Sequence, residues 1–349
     1  MKLTRTNIAS LALAILYIMA VAGSCRKKSS TDPTPEDTTV SLTPDTIRTP
    51  LYFPQPIMPA DNQPAKEIAQ LGRMLYYDTR LSNDGRSCAG CHIQSIGFTT
   101  PSMLNGTVVL PHVNMAWYNT FMWDGSKTGT LEDVMTFEVQ EFFATDLNRI
   151  NTDPIYSSLF RKYFKTTIIT YKHLAYALAQ FARTMVSGNS RYDLSLRGMV
   201  TLTPDERAGA ELFFTERGDC FHCHTNPVMT DNTMHNTGLD SIYAKEADKG
   251  YYNVTHNPND LGKFRTPNLR NVALRSRFMH DGRFSSLEEV INFYDHGMRK
   301  VPNLDPIMLL PAKANGLQLE DWEKQQLIAF LKTLTDTTFT TNPAFSNPN

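Results

Sequence analysis

Two copies of one five-residue pattern constrain this chain more than any other feature: Cys88-Ala-Gly-Cys91-His92 and Cys220-Phe-His-Cys223-His224. Cys-x-x-Cys-His is the attachment signature of a c-type haem. The two thiols add across the vinyl groups of the porphyrin, and the adjoining histidine is placed to ligate the iron from the proximal side. The spacing suits one helical turn, which brings both sulfurs to one porphyrin edge. The rival readings are a zinc site, a disulfide and a thioredoxin-type dithiol. Zinc would use the four cysteines together but gives no reason for a histidine after each pair. A redox dithiol would follow a strand in a βαβ pattern that is not visible here. The expected cofactors are therefore two covalently bound haems c. One sits on Cys88, Cys91 and His92 and the other on Cys220, Cys223 and His224, with the two histidines as iron ligands.

The fifth cysteine belongs to a different signal. Lys2 and Arg5 precede an apolar stretch from Ile8 to Gly23, and Ala22-Gly23-Ser24 lead into Cys25. A basic start, an apolar run and small residues before the cut describe a secretory signal peptide over residues 1–24. A cut directly before cysteine resembles a bacterial lipobox, so Cys25 is expected to carry a lipid anchor; a plain signal peptide with an incidental cysteine is the alternative. Residues 25–50 are rich in Ser, Thr, Pro and Asp and read as a flexible tether. An exported, periplasmic lipoprotein follows. No interior run is long enough to cross a bilayer. With 34 basic and 35 acidic residues the formal net charge is −1, which gives no sign of a nucleic-acid partner.

The two haem motifs are 132 residues apart, and similar elements flank both. Pro64 to Tyr77 reads as a helix with Ile68, Leu71, Met74 and Leu75 on one face. Before the second motif, Thr203-Pro-Asp-Glu206 is a helix start with a Thr cap, Pro at the first position and Glu closing a capping box. Ala208, Leu212 and Phe213 would supply its buried stripe. The segments Leu178 to Met185 and Leu327 to Leu334 match in register at Phe, basic, Thr and apolar positions. A helix, the haem motif and a longer amphipathic helix are the layout of a small cytochrome c. The expected fold is mainly α, with two cytochrome c-like domains in tandem from an internal duplication, over residues 51–190 and 200–340.

Further segments carry a resemblance to the dihaem cytochrome c peroxidase and MauG superfamily. They are Phe53-Pro-Gln-Pro, Leu71 to Ser82, Ser87 to His92, Phe121-Met-Trp123-Asp-Gly125 and Ala179 to Ser190. Gly262 to Val272, Phe278-Met-His-Asp-Gly282-Arg-Phe and Leu287 to Tyr294 complete the set, in the family's order over residues 50 to 336. The resemblance implies that the N-terminal haem binds hydrogen peroxide and that the C-terminal haem relays electrons to it. Those electrons would come from a small cytochrome c or cupredoxin. Trp123 matches the family's inter-haem tryptophan; a core aromatic is the plainer reading.

The resemblance also proposes the groups around each iron. Tyr294 aligns with the distal ligand of the C-terminal haem, as in MauG-type members, where classical peroxidases use Met. Met279 is the competitor and Met298 a third choice. A phenolate ligand stabilises ferric iron and lowers the potential, whereas a thioether raises it. On the peroxide side a carboxylate moves the proton, and both Glu138 and Glu141 qualify. Counting back from Asp153-Pro154-Ile-Tyr156 favours Glu138, whereas Glu141-Phe142 resembles the family's Glu-Met. The segment is about six residues shorter than the family's, which leaves the alignment undecided. The family's Arg after Trp-Asp-Gly is Ser126 here and its Gln is Val134, two departures that bear on peroxidase chemistry. His112 could cap the first iron or be a loop histidine, while His222, His280 and His296 read as structural or exposed. Asn114 matches an Asn beside an inter-domain calcium ion, although Arg275 and Arg277 replace the family's small carbonyl-bearing residues. A homodimer stays open. The functions in view are a peroxidase, a MauG-like oxidase acting on a protein or organic substrate through high-valent iron, and a non-catalytic electron-transfer cytochrome.

Overall fold

The computed structural model describes residues 41–56, 58–310, 313 and 315–348. The signal peptide, Cys25 and the tether as far as residue 40 lie outside the described residues. Everything from Leu42 onward clusters as one compact unit. The fold is mainly helical, and none of the described helices is long and apolar enough to cross a membrane. Strands are confined to two-residue antiparallel ladders: β1 (Met103–Leu104) with β2 (Thr107–Val108), β3 (Thr120–Phe121) with β4 (Lys127–Thr128), and β5 (Met234–His235) with β6 (Phe264–Arg265).

The principal helices are α1 (Lys66–Tyr77), α2 (Cys88–Cys91), α3 (Leu131–Phe137), α4 (Pro154–Phe164), α5 (Tyr171–Thr184), α6 (Pro204–Phe213), α7 (Leu287–Asn292), α8 (Asp321–Thr333) and α9 (Thr337–Thr340). Helix α1 begins two residues later than the sequence suggests. Ala65 is still extended and forms a β-bridge with Pro44. Ile68, Leu71 and Leu75 are buried as expected, but the fourth buried large side chain is Tyr76 rather than Met74. Helix α6 has the Thr203–Glu206 capping box and Pro204 at its start. Its stripe is narrower than expected: Phe213 and Gly209 are buried, while Ala208 and Leu212 are only partly covered.

Two helix crossings organise the molecule. Helix α1 packs on α5 and α6 packs on α8, each at a glycine. A Cβ on Gly72 would lie 1.9 Å from the carbonyl oxygen of Ala177 and 3.0 Å from the Phe181 Cβ. A Cβ on Gly209 would lie 1.9 Å from the Gln326 carbonyl oxygen and 2.9 Å from the Phe330 Cβ. Only glycine lets the backbones approach so closely. Phe181 and Phe330 are the residues that the sequence aligns between the two halves, so both crossings use equivalent contacts. Each crossing sits in its own apolar core, one around Leu71, Phe98 and Phe181, the other around Phe213, Met229 and Phe330.

Two expected boundaries need correction. The tether cannot extend to residue 50. Thr43 bonds the Glu67 carboxylate through its N–H and its hydroxyl at 2.9 and 2.7 Å, and Ile47 is buried. The chain also does not leave the C-terminal half at its end. Beyond α8, Phe339 and Phe345 insert into the first core, Tyr77 donates to the Phe345 carbonyl at 2.6 Å, and Arg73 to the Ser346 carbonyl at 2.7 Å. Aromatic content outside the repeat drives this return, because both rings pack on Phe98, with centroids 5.2 and 6.4 Å away.

One buried ion pair ties α3 to α5 in the first half. Arg183 and Glu132 meet at 2.8 Å with side chains 2% and 6% exposed, and Asn62 donates to the same carboxylate at 2.6 Å. Removing one partner of such a pair leaves a buried charge uncompensated. Glu132→Ala is therefore expected to destabilise the protein by about 3–5 kcal/mol, read as a drop in unfolding midpoint. A loss below about 1 kcal/mol, typical of an exposed pair, would contradict it.

Candidate functional site

Both Cys-x-x-Cys-His segments occupy a single turn. Cys88 and Cys91 bound α2, and Cys220 starts a 3₁₀ turn running to His222. None of the four is in a disulfide. Among the described residues, the clusters able to hold an ion are Cys223 with Asp231 and His235, and Glu216 with Asp219 and His222. Neither brings the two cysteine pairs together, so a shared zinc site has no support.

The histidines that close the two motifs are held in the same way. His92 Nδ1 donates to the Phe98 carbonyl at 2.9 Å, and His224 Nδ1 lies 3.2 Å from the Met229 carbonyl. Each bond fixes the ring orientation and leaves Nε2 free for a metal. Phe98 and Met229 are fully buried and both adopt φ near +60° (59° and 58°), which turns their carbonyls toward the rings. Burial lowers both imidazoles to about 4, so they are neutral at physiological pH. These features fit a haem attached at either motif.

A cavity opens beside the second motif. Its apolar wall includes Val108, Leu269, Val272 and Leu327, and Cys220, Cys223 and His224 line it. Tyr294, Met279 and Met298 all face it, so the structure brings every distal candidate to one cavity. Tyr294 is set apart by its neighbours: burial raises its phenol, and proximity to Cys223 and then Cys220 raises it further. Met279 stands at φ +64°. Trp123 lines the same cavity and donates its indole N–H to the Val108 carbonyl at 2.7 Å. His280 is buried there, stacked on Phe264 at 3.8 Å and bonded to Asp248. His222 pairs with Glu216 and Asp219 beside the motif, whereas His296 is exposed.

At the first motif the two glutamates separate. Glu138 is half-buried, and desolvation pushes its carboxyl up to about 7 against the attraction of Lys127 and Arg86. Burial raises the Cys88 thiol, and the nearby Glu138 charge adds to that effect. Glu141 is exposed, with Lys127 3.9 Å away. His112 lies flat on His92, ring centroids 3.4 Å apart and 14° from parallel, with its Nδ1 3.1 Å from the Tyr76 hydroxyl. Asn114 uses both ends of its amide on Ser187, accepting from its N–H at 2.8 Å and donating to its carbonyl at 2.9 Å. Ser126 is exposed, and Val134 is a core residue of α3.

The halves repeat more extensively than the motifs alone suggest. Thr130-Leu-Glu-Asp-Val-Met-Thr-Phe-Glu138 aligns without a gap with Ser286-Leu-Glu-Glu-Val-Ile-Asn-Phe-Tyr294, sharing Leu131/Leu287, Glu132/Glu288, Val134/Val290 and Phe137/Phe293. Both segments are capped helices that pass into a π turn, Glu138–Phe142 and Phe293–Gly297. Glu138 and Tyr294 are thus aligned positions at the start of a π turn, Glu138 as its first residue and Tyr294 as its second, and π turns are frequent at functional sites. Likewise Asn114 to Gly125 matches Asn271 to Gly282, with Asn114 and Asn271 at φ 55° and 60° and Met122 and Met279 at 62° and 64°. The sequence reading missed these pairings, although laying residues 114–125 over 271–282 and 130–138 over 286–294 would have exposed them. They single out Glu138 over Glu141, and they give Met279 a counterpart, Met122, at the same turn.

Comparison with known proteins places these features in a wider context. A family model described as di-haem cytochrome c peroxidase matches residues 66–201. The chain is 32% identical over 293 residues to the methylamine utilization protein MauG of Methylorubrum extorquens, covering 79% of this chain and 80% of that one. It is 30% identical over 329 residues to the cytochrome-c peroxidase IdrP1 of a Pseudomonas species (strain SCT), covering 80% and 84%. The crystal structure of a MauG-like protein associated with microbial copper homeostasis superposes with a TM-score of 0.77 at 32% identity, covering 87% of this chain and 99% of that one.

Proposed function

Because the chain belongs to the di-haem cytochrome c peroxidase and MauG family, we propose that it is an exported oxidoreductase with two covalent haems c that reduces hydrogen peroxide to water. The two haems would lie in tandem cytochrome c-like halves, on Cys88, Cys91 and His92 and on Cys220, Cys223 and His224. The observation that carries the reading is the Glu138 carboxyl, half-buried beside Cys88 and poised near neutrality. When bound, haem supplies an iron that coordinates peroxide and accepts its oxidising equivalents.

The chain's own residues do the rest. His92, held by the Phe98 carbonyl, presents Nε2 in a fixed direction. Glu138 takes the proton from one peroxide oxygen and returns it to the other, which leaves as water. A carboxyl near 7 is matched to both halves of that transfer. Trp123 bridges toward the second cavity, and a small cytochrome or cupredoxin is the electron source we assign. Both ends of the Asn114 amide are engaged by Ser187, which lends no support to a calcium ion there.

A MauG-like oxidase is the second reading, favoured by Tyr294 beside Cys220 and Cys223. Steady-state kinetics separates the two: catalytic peroxide consumption with a reduced small cytochrome supports the peroxidase, and failure to turn over with any such donor supports the oxidase. The ligand assignment has its own test. Tyr294→Phe is expected to change the low-spin spectrum of the second haem and raise its potential, while Met279→Leu leaves both unchanged. The opposite pattern would transfer the ligand role to Met279.

A further inference from the structure

The cavity beside the second motif contains positive charge that forms no ion pair with a described carboxylate. Arg265, on β6, is 4% exposed, and it and Arg275 both line the cavity. Arg265 donates its backbone N–H to the Trp123 carbonyl at 2.9 Å and its Nε to the Met122 carbonyl at 3.2 Å. Its guanidinium lies 5.3 Å from the Tyr118 ring centre. Arg275 donates to the backbone carbonyls of Asn268 and Arg270.

Neither guanidinium forms an ion pair with a described carboxylate. Asp231, the acid whose charge reaches Arg265, is engaged by His235 at 2.7 Å. Other buried arginines of this chain are paired: Arg183 with Glu132 and Arg270 with Asp193, at 2.8 and 2.7 Å. Desolvation weakens both unpaired cations, and the charge of Arg265 weakens Arg275 further, to about 10. Two neighbouring desolvated like charges are costly unless an anion joins them. A porphyrin held at Cys220 and Cys223 would bring two carboxylate side chains for these cations to pair with.

We propose that Arg265 and Arg275 form the carboxylate clamp of the second haem, binding its propionates and tying them to the backbone of Trp123. This inference rests on the two-haem reading above. Planar guanidinium forks suit carboxylates and stay charged when buried. The two arginines are positioning residues: they set where the porphyrin edge lies relative to Trp123, and they neutralise charge that would otherwise stabilise ferric iron.

The test uses the holoprotein with its haems counted by pyridine haemochrome. Arg275→Gln is expected to shift the midpoint potential of the second haem downward and leave that of the first in place, with Arg275→Lys between wild type and Gln. In the wild type, propionate bands in resonance Raman should shift on transfer to D2O, because guanidinium N–H groups bond them. Unchanged potentials in Arg275→Gln would overturn the clamp, as would propionate bands indifferent to D2O. A potential that follows added phosphate would assign the arginines to a solvent anion and overturn it too. Fewer than two haems per chain would instead overturn the two-haem reading.

Discussion

Glu138→Gln is expected to lower peroxide turnover by about 10²–10⁴-fold, the usual contribution of a positioned acid–base group. The reason is local. Gln fills the same space but can neither accept nor return a proton, and the half-buried site gives bulk water a poor route to replace it. Glu141→Gln is the internal control. Its carboxylate is exposed and its ion pair with Lys127 is 3.9 Å long, so its loss should change turnover by no more than about fivefold. The wild-type pH profile is part of the same prediction. Taking the first proton requires the carboxylate form, and the carboxyl is raised to about 7. The value of kcat/KM should therefore rise with pH through about 7, and that limb should vanish in Glu138→Gln. A variant that retains two haems and full turnover would remove Glu138 from the mechanism. A larger loss in Glu141→Gln would reverse the assignment.

The second large effect concerns the helix crossing that frames the second centre. On helix propensity alone, Gly209→Ala would stabilise α6 by about 1 kcal/mol. The structure requires the opposite sign. The new methyl would lie 1.9 Å from the Gln326 carbonyl oxygen and 2.5 Å from its carbon, both backbone atoms of α8. Separating the helices disturbs the contact of Phe213 with Phe330, whose ring centres are 5.1 Å apart. Overpacking of this kind is expected to cost about 3 kcal/mol or more. Thermal or denaturant unfolding should show a lowered midpoint, and Gly72→Ala should behave alike at the first crossing. An unchanged or raised midpoint for Gly209→Ala would mean that the helices part without cost.

Much of this was readable in the sequence because it rests on local chemistry. The paired haem motifs, the Thr203 cap of α6 and the register of Phe181 with Phe330 depend on residues close together in the chain. The choice between Glu138 and Glu141 did not. They are three residues apart, neighbours on a regular helix, so helical counting brings both to one side. A π turn begins at Glu138 and breaks that periodicity. The αL carbonyls of Phe98 and Met229 were hidden for a similar reason, since neither residue type signals positive φ. The return of Phe339 and Phe345 to the first core is a long-range contact to which no local pattern points. The match of Asn114–Gly125 to Asn271–Gly282 was present in the letters but diluted by substitutions such as Tyr118 to Arg275.

The central claim is that the chain carries two haems of unequal coordination, one open to peroxide and one closed. Low-temperature electron paramagnetic resonance of the fully oxidised protein, before and after one equivalent of peroxide, tests it most directly. The account predicts one high-spin and one low-spin ferric signal, with the high-spin signal lost on adding peroxide. Two low-spin signals indifferent to peroxide, both as isolated and after one-electron reduction, would contradict it.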